Sequence, residues 1–421
     1  MNLKYGLDER PRVGEMLLYS LQWLLIAIPV VLTSTFIAPP GETVAYAQKL
    51  FGITGAAMLI QVFFGHRMPL IPGPAAALLT GILAATAQGC SSSSIYTAIF
   101  IGGAIIALAG ISGITRKLLP LFTPRIVVVV LMLISFTIAH PIIKLIFSDP
   151  DHYPEAFCFA LFGTLLMAFA NERLKGVWKT VSVSAAMIVG SLLWFAITGF
   201  PEQTATDTHA ARLFNFPAEF DLGVTVSFLF CYAALFINEA GSVQSLGAMV
   251  GAGNMERRNR RAMTVTGIMN MVSGGIGAIG PVDYSLSPGI VASTSCASRW
   301  PIVPAAVILT AVAFWPQGVS VLMTIPQTVM GCVLLFLMAT QIAAGFEMAN
   351  ATKSVSTFRH GMIIGLPLML DVILSFAPDN VMEHIPSLIR PIAGNGFVAG
   401  VIIVLLLEHV LLRERKNVRV S

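Results

Sequence analysis

Apolar runs of about the length a helix needs to cross a bilayer, roughly 20 residues, recur along the whole chain and are separated by short polar stretches. They predict fourteen segments, at approximately 15–38, 46–65, 69–87, 94–113, 125–147, 154–171, 177–199, 222–247, 262–280, 283–298, 301–322, 325–347, 359–377 and 391–412. Twelve read as ordinary helices. The third, with RMPLIPGPAAALLTG (67–81), and the tenth, with GPVDYSLSPGIVASTS (280–295), are short and interrupted by Gly and Pro. The first fifteen residues, MNLKYGLDERPRVGE, are too polar for a signal peptide.

Composition sets the solvent. Hydrophobic residues make up 56% of the 421 positions, charged residues 11%, and mean hydropathy is +0.81. A soluble chain carries about 25% charged residues, so this one reads as an integral membrane protein. The distribution of charge tests the segment count. With the N-terminus in the cytoplasm and all fourteen segments crossing, 21 of the 25 basic residues fall on the inner side, the asymmetry expected of cytoplasmic loops. Lys49, Lys144, Arg212 and Arg390 are the exceptions. Removing only one weak segment would reverse every later loop, so both are retained. On this reading the cluster Arg257, Arg258, Arg260 and Arg261 sets topology and is not a nucleic-acid patch. The five cysteines have no metal-type spacing and read as packing residues.

Fourteen segments divide as seven plus seven. An odd repeat puts the second half into the membrane inverted, and interrupted segments at matching places point to a transporter binding site. Residues 1–199 form the first repeat, 200–221 an extracytoplasmic loop, 222–412 the second repeat and 413–421 a cytoplasmic tail. In the third segment Gly73 or its neighbour is expected to cap a half-helix, with Pro74 in its first turn. In the tenth, Ser287 is the expected N-cap and Pro288 the first helical residue. Each half-helix would start inside the membrane with its first N–H groups free for a ligand bearing carbonyl oxygens or negative charge. The alternative is that Gly and Pro merely kink two ordinary helices.

Three acids lie deep in apolar sequence: Glu239, Asp283 and Asp371. Glu239 stands beside a polar stripe of Asn238, Ser242 and Ser245, so it is directed into the bundle. There it either binds ligand N–H groups and a proton or bonds a neighbouring hydroxyl as a helix-pairing group. Asp283, at the entry to the tenth segment, either takes a proton or caps backbone. Asp371 reads as a packing residue, and His140 as a residue bonded beside a Pro kink.

At these residues, and at TGIMNMVSGGIGAIG (266–280) and IPQTVMGCVLLFL (325–337), the sequence resembles the nucleobase–ascorbate transporter family, over nearly its whole length from DERP (8–11) onward. The resemblance implies an all-α membrane fold of fourteen segments in two inverted repeats of seven, with short extended stretches in the third and tenth. It also implies core and gate domains assembled from both repeats, and a homodimer. Glu239 falls at the family's acidic substrate-binding position in the eighth segment. Gly289 and Thr294 keep the spacing of the tenth-segment signature, with Leu286 at its Gln/Glu position and Ser287 at its Asn position. Gln22 keeps the Gln of the first-segment Gln-His pair, whose His is here Trp23. Ala76 stands where some members place an aromatic residue against the base.

The leading expectation is a secondary transporter of a nucleobase-like heterocycle in the cell (inner) membrane, with both termini cytoplasmic. Protons drive it through Glu239 or Asp283, and its partners are the small-molecule substrate, the proton and the bilayer. A small-anion transporter of the same architecture and a non-transporting receptor or scaffold are the rivals. No cofactor, metal, nucleic-acid or enzyme motif is present in the sequence.

Overall fold

A computed structural model describes residues 3–39, 41–118, 121–175, 177–200, 218–284, 287–377 and 395–412. The chain is built almost wholly of helices. The first half contains α1 (Val13–Thr33), α2 (Thr43–Phe63), strand β1 (Pro72–Pro74), α3 (Ala76–Ala87) and α4 (Ser92–Ser112). It continues with the one-turn α5 (Thr115–Leu118), α6 (Pro124–Thr137), α7 (Ala139–Ile146), α8 (Tyr153–Arg173) and α9 (Val177–Thr198). The second half contains α10 (Leu222–Val250), α11 (Met255–Gly275), strand β2 (Pro281–Asp283), α12 (Ser287–Thr294), α13 (Ile302–Ala313) and α14 (Pro316–Leu322). It closes with α15 (Gln327–Ala351), α16 (Phe358–Ser375) and α17 (Gly396–Leu406).

Among the described residues nine helices are long and apolar enough to cross a membrane, or ten if α13 and α14, bent by 100°, form one span. The remaining stretches expected to cross hold the shorter α3 and α12 behind their strands, α17 with the π-helical turn Leu407–Leu411, and the 21-residue α11. Helix α11 escapes a hydropathy test because Arg257, Arg258, Arg260 and Arg261 form part of its first two turns rather than a loop. Local chemistry fixes the ends. Ser91 and Asp221 accept from Ser94 N (3.1 Å) and Val224 N (2.8 Å) to start α4 and α10, and Gly113 and Gly251, at φ 72° and 63°, stop them.

Two close helix pairs form the frame of the site. Helix α4 lies on α11 across glycines spaced seven apart on each: Gly103 and Gly110 against Gly267 and Gly274. A Cβ on Gly267 would stand 2.2 Å from Ala107 N, and one on Gly103 2.7 Å from Met271 N. Small residues at such a seam let backbones approach, which is how helices associate without a hydrophobic driving force. Helix α2 packs on α13 in the same manner, with Gly55 against the backbone of Ala306. Other pairings are α8 with α15, α6 with α16, α1 with α9, α10 with α17, α9 with α12, and α3 with α17.

The buried residues track this frame. In the apolar windows of α2 and α10, 67% of residues are buried, against 17% for α8 and 22% for α9, so α8 and α9 are outer, lipid-facing helices. Asp371 is a packing group, as expected: it accepts from Thr137 Oγ1 (2.8 Å) on α6 and Ser375 Oγ (3.2 Å). His140 rests edge-on against Phe376 at 5.6 Å. None of Cys90, Cys158, Cys231, Cys296 and Cys332 forms a disulfide among the described residues.

Replacing Gly267 by Val should separate α4 from α11 and cost at least about 1–3 kcal/mol. Gly241→Ala, with nothing within 4 Å of its new Cβ, should stay near the parent. Thermal unfolding of the purified proteins checks this, and an unchanged midpoint for Gly267→Val would refute the seam.

Candidate functional site

The two broken segments pair with each other. Strand β1 runs antiparallel to β2 with Pro72 opposite Asp283, Gly73 opposite Val282 and Pro74 opposite Pro281. The pairing extends one step each way, through Ala75 N donating to Gly280 O (2.9 Å) and Tyr284 N to Ile71 O (2.9 Å). Antiparallel ladders bond alternate residue pairs. Residues 71, 73 and 75 therefore face 284, 282 and 280 as bonded pairs. Pro72, Pro74 and Pro281 fall between them, where a missing N–H costs nothing.

Asp283 belongs to the same outward-facing set but has an N–H, and that group points away from β1. It donates to Glu239 Oε2 at 2.9 Å. One turn along α10, Ser242 Oγ donates to Asp283 O (2.9 Å). Glu239 and Ser242 thus take up both backbone polar groups of Asp283. The other Glu239 oxygen, Oε1, accepts from Thr266 Oγ1 on α11 (2.8 Å) and from Gln61 Nε2 on α2 at a longer 3.5 Å. Gln61 Nε2 also donates to Thr266 Oγ1 (2.9 Å). Glu239, Asp283 and His66 are wholly buried.

His66 lies in the turn after α2, which Arg67 closes at φ 56°. Its Nδ1 accepts from Met68 N (2.9 Å), and its Nε2 stands 3.3 Å from Asp283 Oδ2. The Asp283 carboxyl also lies close enough to Glu239 for the two to act on one another electrostatically. Neither Asp283 carboxyl oxygen is hydrogen-bonded by any described residue.

Several expectations about the breaks need correction. Gly73 and Pro74 neither cap nor begin α3. Ala75 is its N-cap and Ala76 its first residue, because the bond from Ala75 N to Gly280 O holds 72–75 extended. Ser287 is the first residue of α12, not its N-cap, and its Oγ accepts from Ile71 N (3.1 Å) of the other broken segment. Pro288 is therefore the second helical residue. Gly73 is needed for a close approach, but the approaching group is the Tyr284 ring, 2.7 Å from where a Cβ would sit. Tyr284 OH donates to Pro74 O (2.7 Å).

The polar stripe on α10 is narrower than its spacing suggests, since Ser245 is exposed while Glu239 and Ser242 face inward. The N–H groups of Ala76 and Ala77 have no hydrogen-bond partner among the described residues. Gln22 on α1 is buried, with neither amide atom bonded by a described residue. Gly289 lies in α12, and Leu286 is outside the described residues. Sequence reasoning missed Gln61, His66, Thr266, Asn270 and Tyr284. Asn270 Nδ2 donates to Thr266 O (2.7 Å) and Pro281 O (2.8 Å), tying α11 to β2. The available signal was polar side chains at the end of the second apolar run and inside TGIMNM.

A membrane bundle whose two broken segments meet at a buried carboxylate cluster defines a secondary-transporter architecture. The chain belongs to the xanthine/uracil permease family, described as a permease family, whose sequence profile matches residues 14–380. It is a multi-pass membrane transporter and not an enzyme. A provisionally named purine permease of Clostridium perfringens (strain 13 / Type A) is 24% identical, covering 98% of this chain and 93% of that protein. A uric acid transporter of Escherichia coli (strain K12) is 23% identical over 93% of this chain and 85% of its own length. Among solved structures, the transmembrane domain of a cyanobacterium bicarbonate transporter superposes with a TM-score of 0.62 at 14% identity, covering 88% of this chain and 98% of that domain. A murine solute carrier 26 anion transporter in the inward-facing state gives 0.62 at 12% identity, over 95% and 69%. These two likenesses show the fold alone.

Thr266→Val removes the one short hydroxyl bond to Glu239 Oε1 and leaves a buried acceptor short of a donor. The expected cost is about 1–3 kcal/mol, read as a lower thermal midpoint, with Thr266→Ser close to the parent. Equal midpoints for all three proteins would dissociate Thr266 from the cluster.

Proposed function

We propose that the protein moves a nucleobase-like heterocycle, a purine or pyrimidine, across the cell membrane by proton symport. The observation that carries this reading is the match to purine and uric acid transporters over nearly the full length of both partners. The site suits such a ligand. A base offers N–H donors and C=O acceptors on neighbouring edges. The start of α3, with the N–H groups of Ala76 and Ala77, supplies donors to a carbonyl. Glu239 has used three of about four acceptor positions on its two oxygens, leaving one on Oε2 for a ligand N–H. Ser287, Gly289, Leu286 and Gln22 complete the proposed ligand environment, and the proposed proton carrier is Glu239 or Asp283.

The same reading assigns fourteen segments in two inverted repeats, with both termini cytoplasmic and a homodimeric assembly through the gate domain. Packing supports the repeat. If crossing segments are numbered 1 to 14, shifting each by seven converts the pair α2 with α13 into α11 with α4. It likewise converts α8 with α15 into α16 with α6, α1 with α9 into α10 with α17, and α9 with α12 into α17 with α3. The strands exchange with each other. A small-anion transporter is disfavoured by two buried carboxyl groups, which would repel an anion at that position.

Uptake into proteoliposomes tests the reading directly. Labelled xanthine, uric acid or uracil should enter, should be competed by other bases, and should ignore bicarbonate and sulfate. Transport of bicarbonate or sulfate, or of no base, would overturn it. Glu239→Gln should weaken binding by about tenfold to two-hundredfold, the loss of a charge-assisted bond of roughly 1.5–3 kcal/mol. It should also abolish proton-driven accumulation, and accumulation equal to the parent would remove Glu239 from coupling.

A further inference from the structure

His66 has a geometry that neither substrate binding nor packing explains. The ring bridges two functional elements. On one side, Nδ1 accepts the Met68 N–H, at the entry to the first broken segment. On the other, Nε2 faces Asp283 Oδ2 at 3.3 Å, within the second broken segment. An Nδ1 that accepts an N–H carries no hydrogen, so the neutral ring holds its proton on Nε2. Neither that nitrogen nor either Asp283 carboxyl oxygen has a hydrogen-bond partner among the described residues, so two buried polar groups stand 3.3 Å apart with neither satisfied.

The backbone at His66 is held on the arginine-rich face of the protein. Arg258 Nη1 donates to His66 O (2.6 Å) and Arg67 O (3.1 Å), and its Nε donates to Gly253 O (3.0 Å). Nearby, Arg299 Nη1 donates to Val62 O (2.9 Å) at the end of α2, and its Nη2 pairs with Asp8 Oδ1 at 2.8 Å. The charged groups around the ring are therefore Asp283 on β2, Glu239 on α10, Arg258 on α11, and Arg67 in its own turn, with Arg299 behind them. The acids lie toward the membrane interior and the arginines toward the surface. His66 sits between the two sets.

We propose that His66 passes protons between the arginine-rich face and Asp283, so that coupling runs through a His66–Asp283 pair while Glu239 stays on its backbone and hydroxyl donors. A proton from water adds to Nδ1, which releases the Met68 N–H and leaves a ring cation beside the Asp283 carboxylate. The Nε2 proton then moves to Asp283 Oδ2, giving a neutral carboxylic acid and a neutral ring that still bears hydrogen on Nδ1. One proton has been gained, and the reverse sequence returns it. In both proton-loaded forms Nδ1 cannot accept, so the Met68 N–H has lost its partner. Loading is thereby tied to release of the turn that leads into β1. This rests on the proton-symport reading above and adds to it the residue and the conformational consequence.

The experiment has two arms. In proteoliposomes, His66→Gln should lose accumulation driven by an imposed pH gradient while base exchange down a concentration gradient stays within about threefold of the parent. Its uptake should also lose its dependence on pH between about 5 and 8. Unaltered gradient-driven accumulation and an unaltered pH profile in His66→Gln would overturn the proposal. The second arm needs neither substrate nor transport. Nitrogen NMR of histidine-labelled protein in nanodiscs, with His66 assigned from its absence in His66→Gln, should show Nδ1 changing from acceptor to protonated nitrogen as pH falls. Asp283→Asn should move the midpoint of that change. An Nδ1 that remains an acceptor across the range in which uptake varies overturns the proposal even if base transport is proton-coupled. A parent protein that shows the NMR change but no gradient-driven accumulation sinks the symport reading instead.

Discussion

The constraint on which the rest depends is the need to satisfy backbone polar groups where two helices are broken inside the membrane. No water is available in a bilayer core, and each unpaired N–H or C=O there costs several kcal/mol. This chain meets the requirement by pairing one break with the other: the bonds 71–284 and 75–280 flank the register of Gly73 with Val282. Three of the six residues in the two strands are prolines, and all three occupy positions that need no N–H toward the partner. Of the outward groups, Pro74 O takes the Tyr284 hydroxyl and Pro281 O the Asn270 amide, which leaves the N–H and C=O of Asp283. They explain why an acid and a serine stand one turn apart on α10. Glu239 is first of all the acceptor for a strand edge.

The frame that brings those partners together is set by glycine. Helix α11 can supply Thr266 and Asn270 because its own Gly267 and Gly274 let it lie directly on α4. Helix α2 can supply Gln61, and the turn with His66, because Gly55 lets it lie on α13. The frame of the site is therefore four helices locked by backbone contact, and α10 brings Glu239 and Ser242 to the paired strands. The outer helices α8 and α9 bury few of their residues.

Much of this was legible in the sequence. The two interruptions were visible because Pro and Gly are unambiguous in apolar runs, and Glu239 and Asp283 stood out because acids are rare there. That the interruptions pair with each other was not legible, since strand register over three residues leaves no periodic signal. The same pairing moved the N-cap of α3 from Gly73 to Ala75 and gave Ser287 to Ile71 N rather than to its own helix. Gln61 and His66 were hidden for another reason. Their roles come from contacts with Glu239 and Asp283 in the other half of the chain, and a lone polar residue at a helix end ordinarily means only the membrane surface.

The division of labour between the two buried acids follows from their donors. Glu239 receives a backbone N–H, a hydroxyl and an amide from three different elements. Any change in its charge or position disturbs β2, α11 and α2 together. Asp283 is hydrogen-bonded through its backbone, and its carboxyl stands near His66 Nε2 and the Glu239 carboxyl. On the symport proposal, a group that changes protonation belongs where little else depends on it. That proposal therefore makes Glu239 the fixed anchor and gives the mobile proton to Asp283, attached to the strand that Glu239 steadies.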